Sequence, residues 1–295
     1  MQGASGLRIQ VFFFTALAML AFAGNSLLCR LALRDTGIDP ASFTGVRIFS
    51  GAVTLVLIIL LRDGVGKGAV AGLMRSGSSR SALALFVYAA AFSYAYVSLP
   101  AATGALLLFG AVQATMMAYG FWRGERLGLW QWLGWLLAGA GLLGLLLPGL
   151  TAPPWQGSLW MLAAGLAWAV YSLRGRRAGD ASAMTAGNFV LALPPALLLS
   201  LATLDQVSLD LAGLLYAVAS GALTSGIGYA FWYRALPALA STTAASVQLS
   251  VPAIAAAGGV LLLNEPMTLR LWLASAAILG GIAMVILLKR REALR

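Results

Sequence analysis

Apolar residues in this chain come in long blocks broken by short polar punctuation. Ten such blocks can be drawn: 10–33, 40–61, 81–98, 100–122, 128–148, 157–174, 182–203, 211–232, 237–263 and 268–288. A bilayer core of roughly 30 Å needs about 20 helical residues at 1.5 Å each. Each block therefore predicts one membrane-crossing helix. Pro100, Pro237 and Glu265-Pro266 mark the tightest connections. Gly and Ala are spread through the blocks, which suits close packing of membrane helices into one bundle.

Composition agrees with that pattern. Of the 295 residues, 61% are hydrophobic and only 9% charged, with a mean hydropathy of +0.90. A soluble domain carries roughly 25% charged residues. Too few remain here to cover a water-facing surface. The net charge of +10 does not point to nucleic acid, because Lys and Arg sit in short loops between apolar blocks. One cysteine, Cys29, rules out a disulfide framework, and the absence of histidine argues against a metal or an acid/base centre. No Walker motif, dinucleotide fingerprint or nucleophile elbow occurs. The reading is an all-α integral membrane protein and not an enzyme, with no cofactor, no metal and no ATPase subunit. Its expected partners are a small-molecule substrate and the lipid bilayer, as a monomer or homodimer.

Loop charges give the orientation. With the N-terminus in the cytoplasm, fifteen Lys and Arg residues fall on the cytoplasmic side, among them Arg62, Lys67, Arg75, Arg80 and Arg174. Only Arg30, Arg34 and Arg270 fall outside. Both termini are thus expected in the cytoplasm of a bacterium, with the chain in its inner membrane. The first block follows only Arg8 and lacks an obvious A-x-A cleavage site before more hydrophobic sequence, so it is expected to be a retained span.

The two halves resemble each other. Residues 20–34 (LAFAGNSLLCRLALR) align with 166–180 (LAWAVYSLRGRRAGD) at an offset of 146, with Leu20, Ala21, Ala23, Ser26, Leu27, Arg30 and Ala32 matched identically. At an offset of 140, Gly124-Glu125 meets Asn264-Glu265, Trp132-Leu133 meets Trp272-Leu273, and Gly141 meets Gly281. The repeats divide the chain into 1–150 and 151–295. Five spans per half is odd, so the second half should insert upside down. The basic loop after span two has an acidic counterpart after span seven, carrying Asp205 and Asp210, as inversion requires. Inverted repeats are a transporter signature, with the site between the halves near the midplane.

These features resemble the drug/metabolite transporter superfamily, in its ten-span EamA-type branch. The resemblance rests on Phe22, Pro40-x6-Arg47, Gly124-Glu125-Arg126-Leu127, Trp130-Gln131-x2-Gly134, Gly139 and Gly141 in the first half. In the second it rests on Trp168, Pro252, Asn264-Glu265-Pro266 and Gly280-Gly281. Within that branch Gly228-Tyr229-x2-Trp232 resembles the YddG-type exporters of aromatic amino acids. Two departures stand out: no proline near Val112 matches Pro252, and Asn264-Glu265 replaces a Gly-Glu pair. The resemblance implies a secondary transporter working by alternating access.

Polar groups within the spans are the candidate substrate ligands, since each needs a partner or water in the bilayer. They are Asn25, Ser26, Gln113, Tyr171, Asn188, Gln248 and Ser250, joined by the aromatics Tyr88, Tyr94, Trp168 and Trp232. Trp168 lies about ten residues into its span, too deep for an interfacial belt, unlike Trp130, Trp132, Trp155, Trp160 and Trp272. Arg47 is the one charge inside a span. It would bind a substrate carboxylate, or act structurally by snorkelling or by pairing with a carbonyl or with Asp39. Arg30 is expected to snorkel, and Glu125 and Glu265 to anchor the ends of spans four and nine. No carboxylate lies mid-membrane, which argues against proton-coupled drug export. The expected cargo is amino acids, including aromatic ones, or similar small amphipathic metabolites, moved outward by an exporter or facilitator. The alternative is a multidrug or quaternary-cation exporter on the same scaffold.

Overall fold

A computed structural model of the chain describes residues 2–64, 72–73, 75–124, 128–147, 149, 152–175, 180–239 and 247–292, with side chains of 2–8, 121 and 286–292 left aside. Glu125 and Lys67 lie outside the described residues. Helices account for most of the described chain, and among the described residues there is no strand. They are α1 Gln2–Asp35, α2 Pro40–Asp63, α3 Ser79–Tyr96, α4 Ala101–Trp122, α5 Leu129–Leu146 and α6 Trp155–Gly175. There follow α7 Ala181–Leu191, α8 Leu193–Ala202, α9 Leu211–Ala219, α10 Gly228–Ala235, α11 Ser250–Leu263 and α12 Leu269–Glu292. A π-helical stretch, Ser220–Ile227, joins α9 to α10.

Each of the ten apolar blocks holds helix. Six helical stretches are individually long and apolar enough to cross a membrane: Ile9–Asp35, Pro40–Asp63, Ala101–Gly120, Leu129–Leu146, Ala181–Ala202 and Leu211–Ala238. The apolar helices Ser250–Leu263 and Leu269–Val285 are shorter. α3 and α6 carry more tyrosine, serine and tryptophan, and they pack against each other. The seventh block is broken where Pro194 and Pro195 cannot supply backbone N–H groups. Asp39, Asp180 and Asp210 cap α2, α7 and α9 by accepting from the backbone N–H groups of the second or third residue of each helix.

The packing has an internal correspondence. α6 rests on α3 and α4, as α1 rests on α9–α10 and α11. α2 pairs with α7–α8, α4 with α11, and α5 with α12. Exchanging the first five spans for the last five maps these pairings onto one another. α2 and α7–α8 run antiparallel: Asp39 at the start of α2 exchanges hydrogen bonds with Ser208 beyond α8, while Arg62 at its end pairs with Asp180 before α7.

Ionic contacts tie both ends of the bundle. At one end Arg174 Nε donates to Ser81 Oγ (3.1 Å) and Arg62 meets Asp63 and Asp180. At the other, Arg30 does not snorkel as expected. Its Nε pairs with Glu265 Oε1 at 3.1 Å, and its Nη1 donates to the carbonyls of Tyr96 and Val97. Glu265 Oε2 accepts the Ala101 N–H at 2.7 Å. This buried carboxylate therefore caps α4 and binds α1, in addition to following α11.

Candidate functional site

A small cleft with a cavity volume of about 30 Å³ lies where α1, α3, α4, α6, the π stretch, α10 and the segment just before α11 converge. Its walls are Phe22, Asn25, Ser26, Tyr88, Phe92, Leu108, Phe109, Trp168, Thr224, Ser225, Tyr229 and Gln248. Both halves of the chain contribute.

Asn25 is the polar hub. Its Oδ1 accepts from Ser220 Oγ (2.7 Å) and Thr224 Oγ1 (3.2 Å), and its Nδ2 donates to the Tyr88 hydroxyl (3.4 Å). Ser220 is the closer donor, and the single Thr224 proton is shared with the Ser220 carbonyl at 2.7 Å. Such a buried network leaves a group unsatisfied if any member is removed, at about 1–3 kcal/mol. The π stretch supplies two of its hydroxyls, Ser220 and Thr224, and π-bulges place backbone groups off the α-helical register. It also approaches α2 closely: a Cβ at Gly221 would collide with the Arg47 carbonyl and the Ser50 hydroxyl.

Aromatic rings form the apolar walls. Trp168 lies between Tyr88 (ring centroids 4.8 Å) and Tyr229 (5.6 Å, stacked at 24°). Phe22 meets Tyr229 at 5.7 Å and Trp232 at 6.1 Å. Phe22 and Trp168 correspond at the 146-residue offset, and each packs on a tyrosine of the other half.

Arg47 stands immediately behind this wall, 2% exposed. Its Nη2 donates to the Tyr88 hydroxyl (3.2 Å) and its Nε to Ser225 Oγ (3.4 Å). The guanidinium carbon lies 5.3 Å from the Tyr88 ring centre and 5.0 Å from that of Phe92. Cation–π contacts contribute about 0.5–2 kcal/mol. The Nη1 group has no partner among the described residues, and no described carboxylate pairs with this side chain. Asp39, the anticipated structural partner, caps α2 instead. A buried cation without a counter-ion costs several kcal/mol.

Of the anticipated ligands, Asn25, Ser26, Tyr88, Trp168 and Gln248 come together at the cleft. The others do not line it. Tyr94 packs on Trp160. Asn188 accepts the Ser78 N–H at 2.9 Å and donates to Tyr171 (3.5 Å), so both fasten α3, α6 and α7 together. Trp232 backs Phe22, Gln113 is buried on α4 away from the lining, and Ser250 Oγ donates to the Val247 carbonyl (2.6 Å). Sequence reading missed Ser220, Thr224 and Ser225. The signal available was the run Ser-Gly-Ala-Leu-Thr-Ser-Gly, small and polar within an apolar block. Among the described residues no group of three His, Cys, Asp or Glu is placed to hold a metal.

The family model described as the EamA-like transporter family matches residues 10–147 and again 155–287. The chain belongs to the EamA-like transporter family. It is accordingly a multi-pass membrane transporter of the drug/metabolite type and not an enzyme. A curated relative, "Uncharacterized protein PA1977" of Pseudomonas aeruginosa, is 59% identical over 272 residues, covering 92% of this chain and 93% of the relative. A solved structure titled "Crystal structure of protein" is similar at a TM-score of 0.65 and 23% identity, over 95% of this chain and 99% of that one. At that identity the likeness shows the fold alone.

Proposed function

We propose that this EamA-family member is an alternating-access carrier. Its cargo is amino acids, including aromatic ones, or similar small amphipathic metabolites, and it exports or equilibrates them across a bacterial inner membrane. The observation that carries this reading is the cleft itself, with aromatic walls from both halves, amide and hydroxyl groups from Asn25, Ser26, Thr224 and Gln248, and no acidic lining residue. Flat rings bind an aromatic or aliphatic side chain, and the polar groups fix its orientation.

Two inverted five-span repeats, 1–150 and 151–295, fit this mechanism. They are supported by the doubled family match, the antiparallel course of α2 and α7–α8, and the exchangeable helix pairings. Rocking of one half against the other would open the cleft to each side in turn. The bias of basic loops supports cytoplasmic termini. A quaternary-cation exporter is the weaker reading, because a permanent cation would meet Arg47 and no carboxylate.

The test is uptake of a labelled amino-acid panel by proteoliposomes, with wild type, Trp168→Ala and Gln248→Ala. The reading expects saturable uptake that both substitutions reduce about tenfold or more. Equal rates for all three proteins would remove the cleft from the transport path.

A further inference from the structure

Taking the transport reading as given, we propose that the cleft accepts its solute through a carboxylate, with Arg47 as the counter-ion, and that an amino group is not needed for binding.

Three observations converge. Arg47 is almost wholly buried, always charged, and has an Nη1 with no partner among the described residues. Its remaining contacts are Tyr88, Phe92 and Ser225, all three of them cleft walls. One side-chain layer therefore separates an unsatisfied guanidinium from the solute space. Rotation of the Tyr88 hydroxyl or of Ser225 would let a carboxylate replace neutral partners with a charge-assisted bond, the stronger interaction.

The third observation is what the cleft lacks. None of its lining side chains is acidic. The cleft's most buried amide acceptor, Asn25 Oδ1, already accepts the Ser220 hydroxyl at 2.7 Å. An ammonium group would find ring faces, the Gln248 amide and the hydroxyls of Ser26 and Thr224, but no counter-ion, and Arg47 would repel it. A carboxylate instead neutralises the unpaired Arg47 charge. The electrostatics thus distinguish the two ends of an amino acid and make the acid end the obligatory handle. The ring or aliphatic end lies against Trp168 and Tyr229.

The full-length protein in detergent tests this with three probes: 3-phenylpropionate (acid only), phenylalanine (both groups) and phenethylamine (amine only). Binding is read by calorimetry and by the shift in thermal unfolding. The expected result is saturable binding of 3-phenylpropionate, little or none of phenethylamine, and a loss of acid affinity of at least about tenfold in Arg47→Gln. Arg47→Lys, which keeps the charge but loses the planar fork, should fall between, and it serves where Arg47→Gln does not run as a single species on gel filtration. Three results would overturn the proposal: phenethylamine binding as tightly as the acid, neither acid binding, or a folded Arg47→Gln that retains wild-type affinity. If 3-phenylpropionate binds while no amino acid is transported, the amino-acid reading fails and the carboxylate site stands. If Arg47→Gln transports phenylalanine at the wild-type rate, the amino-acid reading stands and the carboxylate site fails.

Discussion

Glu265→Gln should loosen one end of the bundle by an amount that the contacts allow to be worked out. The Glu265 carboxylate is 7% exposed and makes two bonds: to Arg30 Nε at 3.1 Å and from the Ala101 N–H at 2.7 Å. Arg34 lies 4.0 Å away. Glutamine keeps one oxygen, so it can satisfy Arg30 or Ala101 but not both, and its NH2 group then faces another donor. A charge-assisted hydrogen bond contributes about 1.5–3 kcal/mol, and breaking a buried ion pair costs about 3–5 kcal/mol. A loss of about 3 kcal/mol lies where the two overlap. It falls on contacts that join α1, the α3–α4 turn and the α11–α12 connection, so it should favour separation at that end by roughly 100-fold. Cys29, the single cysteine, is fully buried one residue before Arg30 and reports that separation. The assay is the rate of maleimide labelling of Cys29 in the purified protein, alongside Glu265→Asp as a variant that keeps the charge. Glu265→Gln should label tens to a hundred times faster. A labelling rate within twofold of wild type, in a protein that still elutes as one species, would falsify the idea that this carboxylate holds the end closed.

Other outcomes follow from the same geometry. Asn25→Ala removes bonds to Ser220, Thr224 and Tyr88 and should destabilise the protein by about 1–3 kcal/mol, read as a lower Tm; an unchanged Tm would show that water replaces the network. Trp168→Phe should keep part of the stacking on Tyr88 and Tyr229 and retain more transport than Trp168→Ala, and equal rates would remove the ring from the cargo site. Arg62 beside Asp180, aided by the Ala183 and Ser182 N–H groups and opposed by partial burial, holds that carboxyl below the usual carboxylate range. A depressed folded-state pKa contributes stability that is complete above the unfolded pKa of about 3.9 and lost as pH falls through the folded value. Asp180→Asn, which keeps the cap on α7, should therefore lower stability by less than about 1 kcal/mol at neutral pH, because the pair is half exposed, and should match wild type in strong acid. A pH gradient alone should not drive uphill uptake into proteoliposomes, since no described carboxylate lines the cleft; accumulation would mean proton coupling.

Much of the fold could be read from the chain because the bilayer fixes the length of apolar blocks and prolines end them. The breaks at Pro100 and at Glu265-Pro266 appear as helix ends at Tyr96 and Leu263. Pro194-Pro195 inside the seventh block was harder, since membrane helices tolerate proline when the freed groups find partners. Here the Ala192 N–H still reaches the Asn188 carbonyl and the chain resumes helix at Leu193. The replacement of a Gly-Glu pair by Asn264-Glu265 also has a local cause. Asn264 ends α11 at φ 52°, and its counterpart Gly124 has φ 87°. Asparagine is the side chain that best tolerates the left-handed region, so the departure preserves the turn.

The site was less legible, for a physical reason. A polar residue in an apolar block signals only that it needs a partner, and a neighbouring helix satisfies that need as well as a cargo does. Asn188 and Asn25 look alike in sequence. One closes on Ser78 and Tyr171, and the other on Ser220, Thr224 and Tyr88 beside open space. The difference lies in which helices converge, a property of packing between residues nearly two hundred positions apart. Serine and threonine are harder still, because each can return its hydroxyl to the carbonyl one turn back, as Thr224 does to Ser220. What makes them visible is the company they keep: Gly221 lets α2 approach the π stretch until Ser225 meets Arg47. A charge is the exception to this ambiguity. Neutral helices cannot fully satisfy Arg47, and its bonds to Tyr88 and Ser225 leave Nη1 without a partner among the described residues. The guanidinium therefore still requires an anion, and its partners Tyr88, Phe92 and Ser225 are walls of the cleft.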